Sequence, residues 1–504
     1  MRFRGLLASA FLGVVATSLS APAAAASGRN FVSEHTATIE GEPVSYVAAV
    51  EEYKVKDADG DEALSLFATS YVRSDVKDTK KRPVVFLFNG GPSAAALGLH
   101  TELGPRQPTE DSRERFKANS AEKIEFADNP DSLLDIADLV FFDPAETGFS
   151  RLLKEESRAY FYSTTGDPDS VVQLIRQWRK AHGREDSPLY ILGESYGSIR
   201  QVVAGSQLRR EGVKLDGQII FGDSIFLMET SRRAHNIVST AVSLPVLAMT
   251  AAYHGKADMR GMSLKAYLDE AYRFSMEEYL PALAMGWSLS ESKRKKVAGE
   301  LERYTSIPQS YFLEHDLAIA KHIFNRTLIP GKALNANDTR VVEEATSKKE
   351  HGGDPTDAYR FEQAVLSSYM QDELGVKLDG VEYRIFAPDS FSSWEWGQGC
   401  SDYVAGAGLC SPDWGKRTPF VDYDWPEQLK AAFADPDFRA MIVSGIYDGL
   451  SSVGTHRYLQ SQLGFPEDRF EIREYEAGHA TAADPEARPF VKADLRTFLN
   501  CEMP

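Results

Sequence analysis

Hydrophobic positions along the chain follow two rhythms. Residues 83–88, 137–142, 189–192, 218–221 and 440–444 are short, nearly continuous apolar runs, the pattern of strands buried on both faces. Residues 470–475 alternate and read as the last strand of this set. Helical spacing lies between the runs. Val171, Leu174, Ile175 and Trp178 form one stripe, opened by Gly166-Asp167-Pro168, where Asp167 suits a cap and Pro168 the first turn. Ile199, Val202, Val203 and Ser206 form another. Strands alternating with helices predict a parallel sheet covered by helices on both faces. Ahead of it, residues 36–39 and 44–48 alternate around a Glu-Gly-Glu-Pro turn, and 63–72 alternate again. These predict antiparallel hairpins leading into the sheet, which is therefore mixed and mostly parallel.

From about 230 to 385 strand-like runs thin out. Residues 264–270 and 310–323 read as helices, so this stretch is expected to be a helical cap inserted into the sheet. Residues 391–419, aromatic and Gly-rich, read as an ordered loop near the mouth of a site. The expected organisation is a leader at 1–26, a core in two parts at 27–229 and 386–504, and the cap at 230–385. The leader rests on Arg2 and Arg4, an apolar run from Gly5 to about Thr17, and the small residues at 21–27. Such a run falls short of the ~20 residues of a spanning helix and predicts cleavage and export, to the periplasm or outside the cell.

Composition narrows the function. A net charge of −18 over 504 residues argues against nucleic acid and anionic membranes as partners. No other apolar segment is long enough to span a bilayer. The three cysteines, Cys400, Cys410 and Cys501, allow one local staple and one free thiol, with pairing open. No His or Cys cluster has metal-ligand spacing, and no cofactor is expected.

The chemistry centres on Gly193-Glu194-Ser195-Tyr196-Gly197. This G-x-S-x-G lies between a predicted strand and a predicted helix, the setting of a nucleophile elbow. A serine hydroxyl needs a base and a carboxylate that orients it. Asp448 and His479 each follow a late strand, and their chain order is that of α/β-hydrolases. His456 is the rival base but sits on a predicted helix and reads as a packing residue. Asp143, ahead of Ser195, reads as structural. The strand at 83–88 ends in Asn89-Gly90-Gly91-Pro92, a loop able to point backbone N–H groups at a ligand.

Taken together these blocks resemble the serine carboxypeptidase family. The matching stretches are Asn89-Gly90-Gly91-Pro92 with Glu102-Leu103-Gly104-Pro105, Asn129 to Ser132, Asp143-Pro144 with Thr147-Gly148-Phe149-Ser150, the elbow, Ser444-Gly445 with Asp448, and Gly478-His479. The resemblance implies an α/β-hydrolase fold and a peptidase acting on the C-termini of peptides. It implies Ser195 as nucleophile, His479 as base and Asp448 as its orienter. It implies Gly91 and Tyr196 N–H groups as the oxyanion hole, and Asn89, Glu102 and Glu194 as the site for the substrate carboxylate. Two carboxyl groups close together in a dry site cannot both ionise, so one can donate a hydrogen bond to that carboxylate. An acidic pH preference is expected. The chain departs from the pattern at Ser93, Ala95, Ala96, Glu146 and Ser198, and the step from Asn89 to Glu102 is one residue short. An esterase or another peptidase with the same triad, and a weakly catalytic binding protein on this fold, are the alternatives.

Overall fold

The computed structural model describes residues 28–117, 123–226, 235–345, 359–396 and 425–500. The leader at 1–26, most of the 391–419 loop and all three cysteines lie outside these residues. A ten-stranded mixed sheet organises the chain. Its main strands are β1 (Asn30–Ile39), β2 (Glu42–Lys56), β3 (Glu62–Arg73), β4 (Val84–Phe88), β5 (Asp138–Phe142), β6 (Leu189–Glu194), β7 (Gly217–Phe221), β8 (Arg439–Gly445) and β9 (Phe470–Tyr475). They lie in the order β1-β2-β3-β5-β4-β6-β7-β8-β9, with the short strand Arg151–Leu152 beside β3. Pairings from β1 to β5 along this order are antiparallel. Every pairing from β5 onward is parallel.

The continuous apolar runs have a plain cause. Val84, Phe86 and Phe88 of β4 join one apolar cluster, while Val85 and Leu87 join another on the opposite face. Val140 and Phe142 of β5 divide from Leu139 and Phe141 in the same way. Each such side chain contributes about 1.5–3 kcal/mol relative to exposure. After the short helix α1 (Leu97–Leu103), helices α2 (Gly166–Ala181) and α3 (Tyr196–Arg210) cover the first face, through Leu174, Trp178, Ile199 and Leu208. Val491, Leu495 and Phe498 of the C-terminal helix Arg488–Asn500 cover the other. Between β7 and β8 the described residues are mainly helical and form a third apolar cluster, including Met249, Tyr267, Leu301 and Phe324. Among the described residues no helix is long and apolar enough to cross a membrane.

Local expectations need correction at three places. Thr165, not Asp167, stands at the N-cap of α2, and the Asp167 carboxylate pairs with Arg200 at 2.7 Å. The single helix read at 310–323 is two, Gln309–Glu314 and Lys321–Thr327. Asp316 and Leu317, with φ of 52° and 64°, turn the chain between them. On α3, Val203 and Ser206 are only half-buried, whereas Arg200 and Gln201 are wholly buried. The helix is enclosed on more than one side, which a single apolar stripe does not capture.

Candidate active site

Ser195 occupies the turn from β6 into α3 with φ 58° and ψ −125°. A non-glycine residue is strained there and is held by its surroundings. Its N–H donates to the Phe221 carbonyl at 2.8 Å. Its carbonyl accepts the Ser198 N–H at 2.9 Å and the Ser198 hydroxyl at 2.7 Å. The elbow glycines leave no room for side chains. A Cβ on Gly193 would lie 2.2 Å from the Gly197 carbonyl oxygen, and one on Gly197 would lie 2.8 Å from that of Phe88.

His479 follows β9, and its N–H donates to the Asn337 carbonyl at 2.6 Å. Its ring packs on Gly222, where a Cβ would come within 2.7 Å of the imidazole. Gly222 directly follows the residue that anchors Ser195, so the elbow and the imidazole are set from one strand end. His479 Nδ1 lies 2.7 Å from Asp448 Oδ2. The other oxygen, Asp448 Oδ1, accepts the N–H groups of Leu450 at 2.8 Å and Ser451 at 2.9 Å. The acid is fully buried and oriented by three donors. With Nδ1 donating to Asp448, Nε2 is the basic nitrogen; it is buried and has no hydrogen-bond partner among the described residues. Burial depresses the pKa of His479, but the neighbouring Asp448 outweighs it and the net direction is upward from 6.5. Ser195 and His479 line one cleft of about 830 Å³.

The Asn89–Pro92 loop lies on the elbow. A Cβ on Gly90 would meet Tyr196 N at 2.6 Å and Ser195 Cβ at 2.8 Å. Gly91 has φ 110°, a conformation that excludes ordinary side chains. Gly90 is thereby held against the backbone of Tyr196 and the side chain of Ser195, with Gly91 next in the chain. Asn89 Nδ2 donates to Glu194 Oε1 at 2.7 Å. The second oxygens of Glu194 and Glu102 are both buried without a partner among the described residues. Burial first, and the Glu194 carboxyl second, push the pKa of Glu102 up to about 8. Burial also raises that of Glu194. Glu102 lies in the last turn of the short helix Leu97–Leu103. Its neighbourhood is tethered by Asn129 Nδ2, which donates to the carbonyls of Glu102 and Gly104 at 2.9 Å, and by the Ser132 hydroxyl on the Leu103 carbonyl at 3.0 Å. The shortened step from Asn89 still leaves Glu102 within electrostatic reach of Glu194.

Positions that depart from the family pattern are built into the same frame. Ala95 and Ala96 are fully buried. Their N–H groups donate to the Ile385 carbonyl at 2.8 Å and to Asp143 Oδ1 at 3.1 Å. The Ser93 carbonyl accepts the Ala387 N–H at 3.1 Å. Glu146 takes φ 65°, and its carboxylate accepts the Leu152 N–H at 2.8 Å and pairs with Arg384 at 3.1 Å. The Ser198 hydroxyl also accepts the Ser224 N–H at 2.8 Å.

Asp143 also accepts the Tyr383 hydroxyl and is a buried brace under the loop. His456 is wholly buried with Nδ1 2.7 Å from the Ser444 hydroxyl, a packing position. What periodicity missed is Arg200, a fully buried guanidinium one turn beyond the elbow. With Ser198 and Gln201 beside it, its local sequence carried no signal of that burial.

The sheet order, the strained serine between β6 and α3, and the Asp448–His479 couple after β8 and β9 define an α/β-hydrolase. The family model described as serine carboxypeptidase matches residues 58–203, which carry the Asn89 loop, Glu102 and the elbow. No curated protein is similar enough to the chain to count as a match. Among solved structures, a proline iminopeptidase of Mycobacterium smegmatis is 13% identical, covering 89% of this chain and 97% of its own, with a TM-score of 0.34. A peroxisomal α/β-hydrolase of Saccharomyces cerevisiae is 10% identical, covering 95% and 91%, with a TM-score of 0.36. A Pyrococcus furiosus esterase is 10% identical, covering 90% and 91%, with a TM-score of 0.34. Scores this low carry no argument, and the fold assignment rests on the sheet and the site.

Proposed function

We propose that the protein is a serine-type carboxypeptidase that removes C-terminal residues from peptides. The Ser195 Oγ attacks the carbonyl carbon of the last peptide bond while His479 Nε2 takes its proton. The oxyanion that forms is held by the N–H groups of Gly91 and Tyr196. His479 passes the proton to the departing amine, and the free amino acid leaves. Water, deprotonated by the same nitrogen, then attacks the Ser195 ester; the C–O bond breaks, His479 returns the proton to Ser195 Oγ, and the shortened peptide leaves.

The observation that carries this reading is the buried Asn89–Glu194 pair at the elbow, with Glu102 near enough for its carboxyl to be raised by that of Glu194. A protonated carboxyl and an amide N–H can both donate to a terminal carboxylate. An esterase, or a binding protein on this fold, would give that trio no task. The pH dependence follows with sign. His479 must be neutral, so activity rises as pH climbs through its raised pKa. Glu102 must hold its proton, so activity falls as pH climbs through about 8. The working range therefore lies on the acidic side of pH 8.

Digestion of a peptide library, read by mass spectrometry, tests the activity. Loss of single C-terminal residues from peptides with free carboxyl ends supports it; internal cuts, or equal turnover of peptides ending in an amide, count against it. We also propose export through the leader at 1–26. N-terminal sequencing of protein from the producing cell should then begin near residue 27, and an N-terminus at Met1 would refute it.

A further inference from the structure

We propose that Arg200 is a positioning residue that presets the oxyanion hole, by clamping both ends of the Gly90–Gly91 loop against the elbow. This rests on the oxyanion roles of Gly91 and Tyr196 given above, but not on the substrate being a peptide.

Arg200 lies on α3 one turn after Tyr196 and is wholly buried. Its Nη1 donates to the Asn89 carbonyl at 2.6 Å, just before the two glycines. Its Nη2 donates to the Pro92 carbonyl at 2.7 Å, just after them. Nε is turned away and pairs with Asp167 Oδ2 at 2.7 Å. The guanidinium also stacks on three rings, 5.2 Å from Phe88, 5.4 Å from Phe142 and 5.3 Å from Tyr196. Phe88 ends the strand that feeds the loop, and Tyr196 carries the other N–H of the hole. One planar group thus touches both halves.

The loop needs such a clamp. Two consecutive glycines carry the largest conformational freedom of any dipeptide, and Gly91 sits at φ 110°. An N–H on a free two-glycine loop would point elsewhere for much of the time. Fixing the carbonyls on either side fixes the peptide planes between them. A planar fork reaches two acceptors at once, which a lysine ammonium does not do in a set geometry. Asp167 neutralises the charge, so the clamp acts through geometry rather than as a positive charge offered to the oxyanion. A buried charge of this kind adds little to stability once compared with apolar residues of equal volume. That leaves the placement of the loop as its contribution.

The test uses the full chain with both charges removed together, in Arg200→Met/Asp167→Asn, so that no lone charge is buried. Arg200→Lys is the conservative comparison. An alkyl fluorophosphonate is the probe, because its phosphoryl oxygen enters the hole and it needs no terminal carboxylate. Thermal unfolding is followed on the same samples. The expected result is a folded double variant whose labelling rate at saturating probe falls about a hundred-fold. Its half-saturating probe concentration should change little, and Arg200→Lys should fall in between. An unchanged labelling rate, or a loss that merely tracks the unfolded fraction, overturns the proposal. If wild-type protein labels but releases no C-terminal residues, the carboxypeptidase reading fails and this inference stands. If wild type does not label, both fall.

Discussion

Asp448 and the pair Glu194 and Glu102 are two sets of buried carboxyl groups, and donors meet them differently. Asp448 is wholly buried, yet each oxygen is met by donors: His479 Nδ1 on one, two backbone N–H groups on the other. That environment suits a carboxylate. Glu102 and Glu194 are also buried, though less completely, and each keeps one oxygen without a donor among the described residues. That environment suits a carboxylic acid. In the proposed reaction the first carboxyl orients the base and the second donates to the substrate. Burial raises the pKa of both glutamates, and Asp448 differs in the donors aimed at each of its oxygens.

Removing the anion should have the largest effect. Asp448→Asn keeps the shape but presents an amide where His479 needs an acceptor, favouring the wrong imidazole tautomer. Turnover should fall by about four orders of magnitude. Steady-state kinetics check this, and a loss below ten-fold would show that Asp448 does not orient the base. A methyl group on the loop comes next. Gly90→Ala would push against Tyr196 N and Ser195 Cβ, so fluorophosphonate labelling should fall by roughly a hundred-fold or more.

The acid side responds differently. Glu102→Gln fixes a donor that no longer titrates. Its activity on free peptides at pH 9 should exceed that of wild type by about ten-fold, while the two differ little at pH 6. Stability should follow the same group. The folded pKa, about 8, lies above the ordinary 4.5, so the folded state loses stability as pH rises between these values. Thermal midpoints should therefore favour Glu102→Gln over wild type more at pH 9 than at pH 5, and an equal difference at both would contradict a buried proton. The smallest effect is expected at Glu146→Gly. It relieves a left-handed φ but loses the contacts to Leu152 and Arg384, so the midpoint should move by only a few degrees in either direction.

The contrast between the carboxyl groups also marks how far the sequence could be read. The parallel strands were legible because both faces are buried, which leaves continuous apolar runs. Ser195 and Asp448 were legible because each stands just past such a run, and His479 because it follows the alternating strand at 470–475. Asp167 was not: its local setting suits a cap, and only the fold brings Arg200 to it from 33 residues on. The break at Asp316 and Leu317 was hidden because neither residue is a usual helix breaker. Glu102 could be named through the family resemblance alone. Nothing in its own neighbours says that it meets Glu194, because the meeting is made by a helix end and a strand end far apart in sequence.

In the proposed reaction a carboxyl pair that keeps a proton reads the end of the peptide. The most direct test of this is the pH dependence of kcat/KM for a peptide with a free C-terminal carboxylate, beside an ester substrate with the same acyl group and no carboxylate. Both should rise together on the acid side, as His479 loses its proton. Above that, the free peptide should fall as pH climbs through about 8 while the ester stays level. If the two profiles coincide across the alkaline limb, Glu102 and Glu194 do not recognise a terminal carboxylate, and the carboxypeptidase account is wrong.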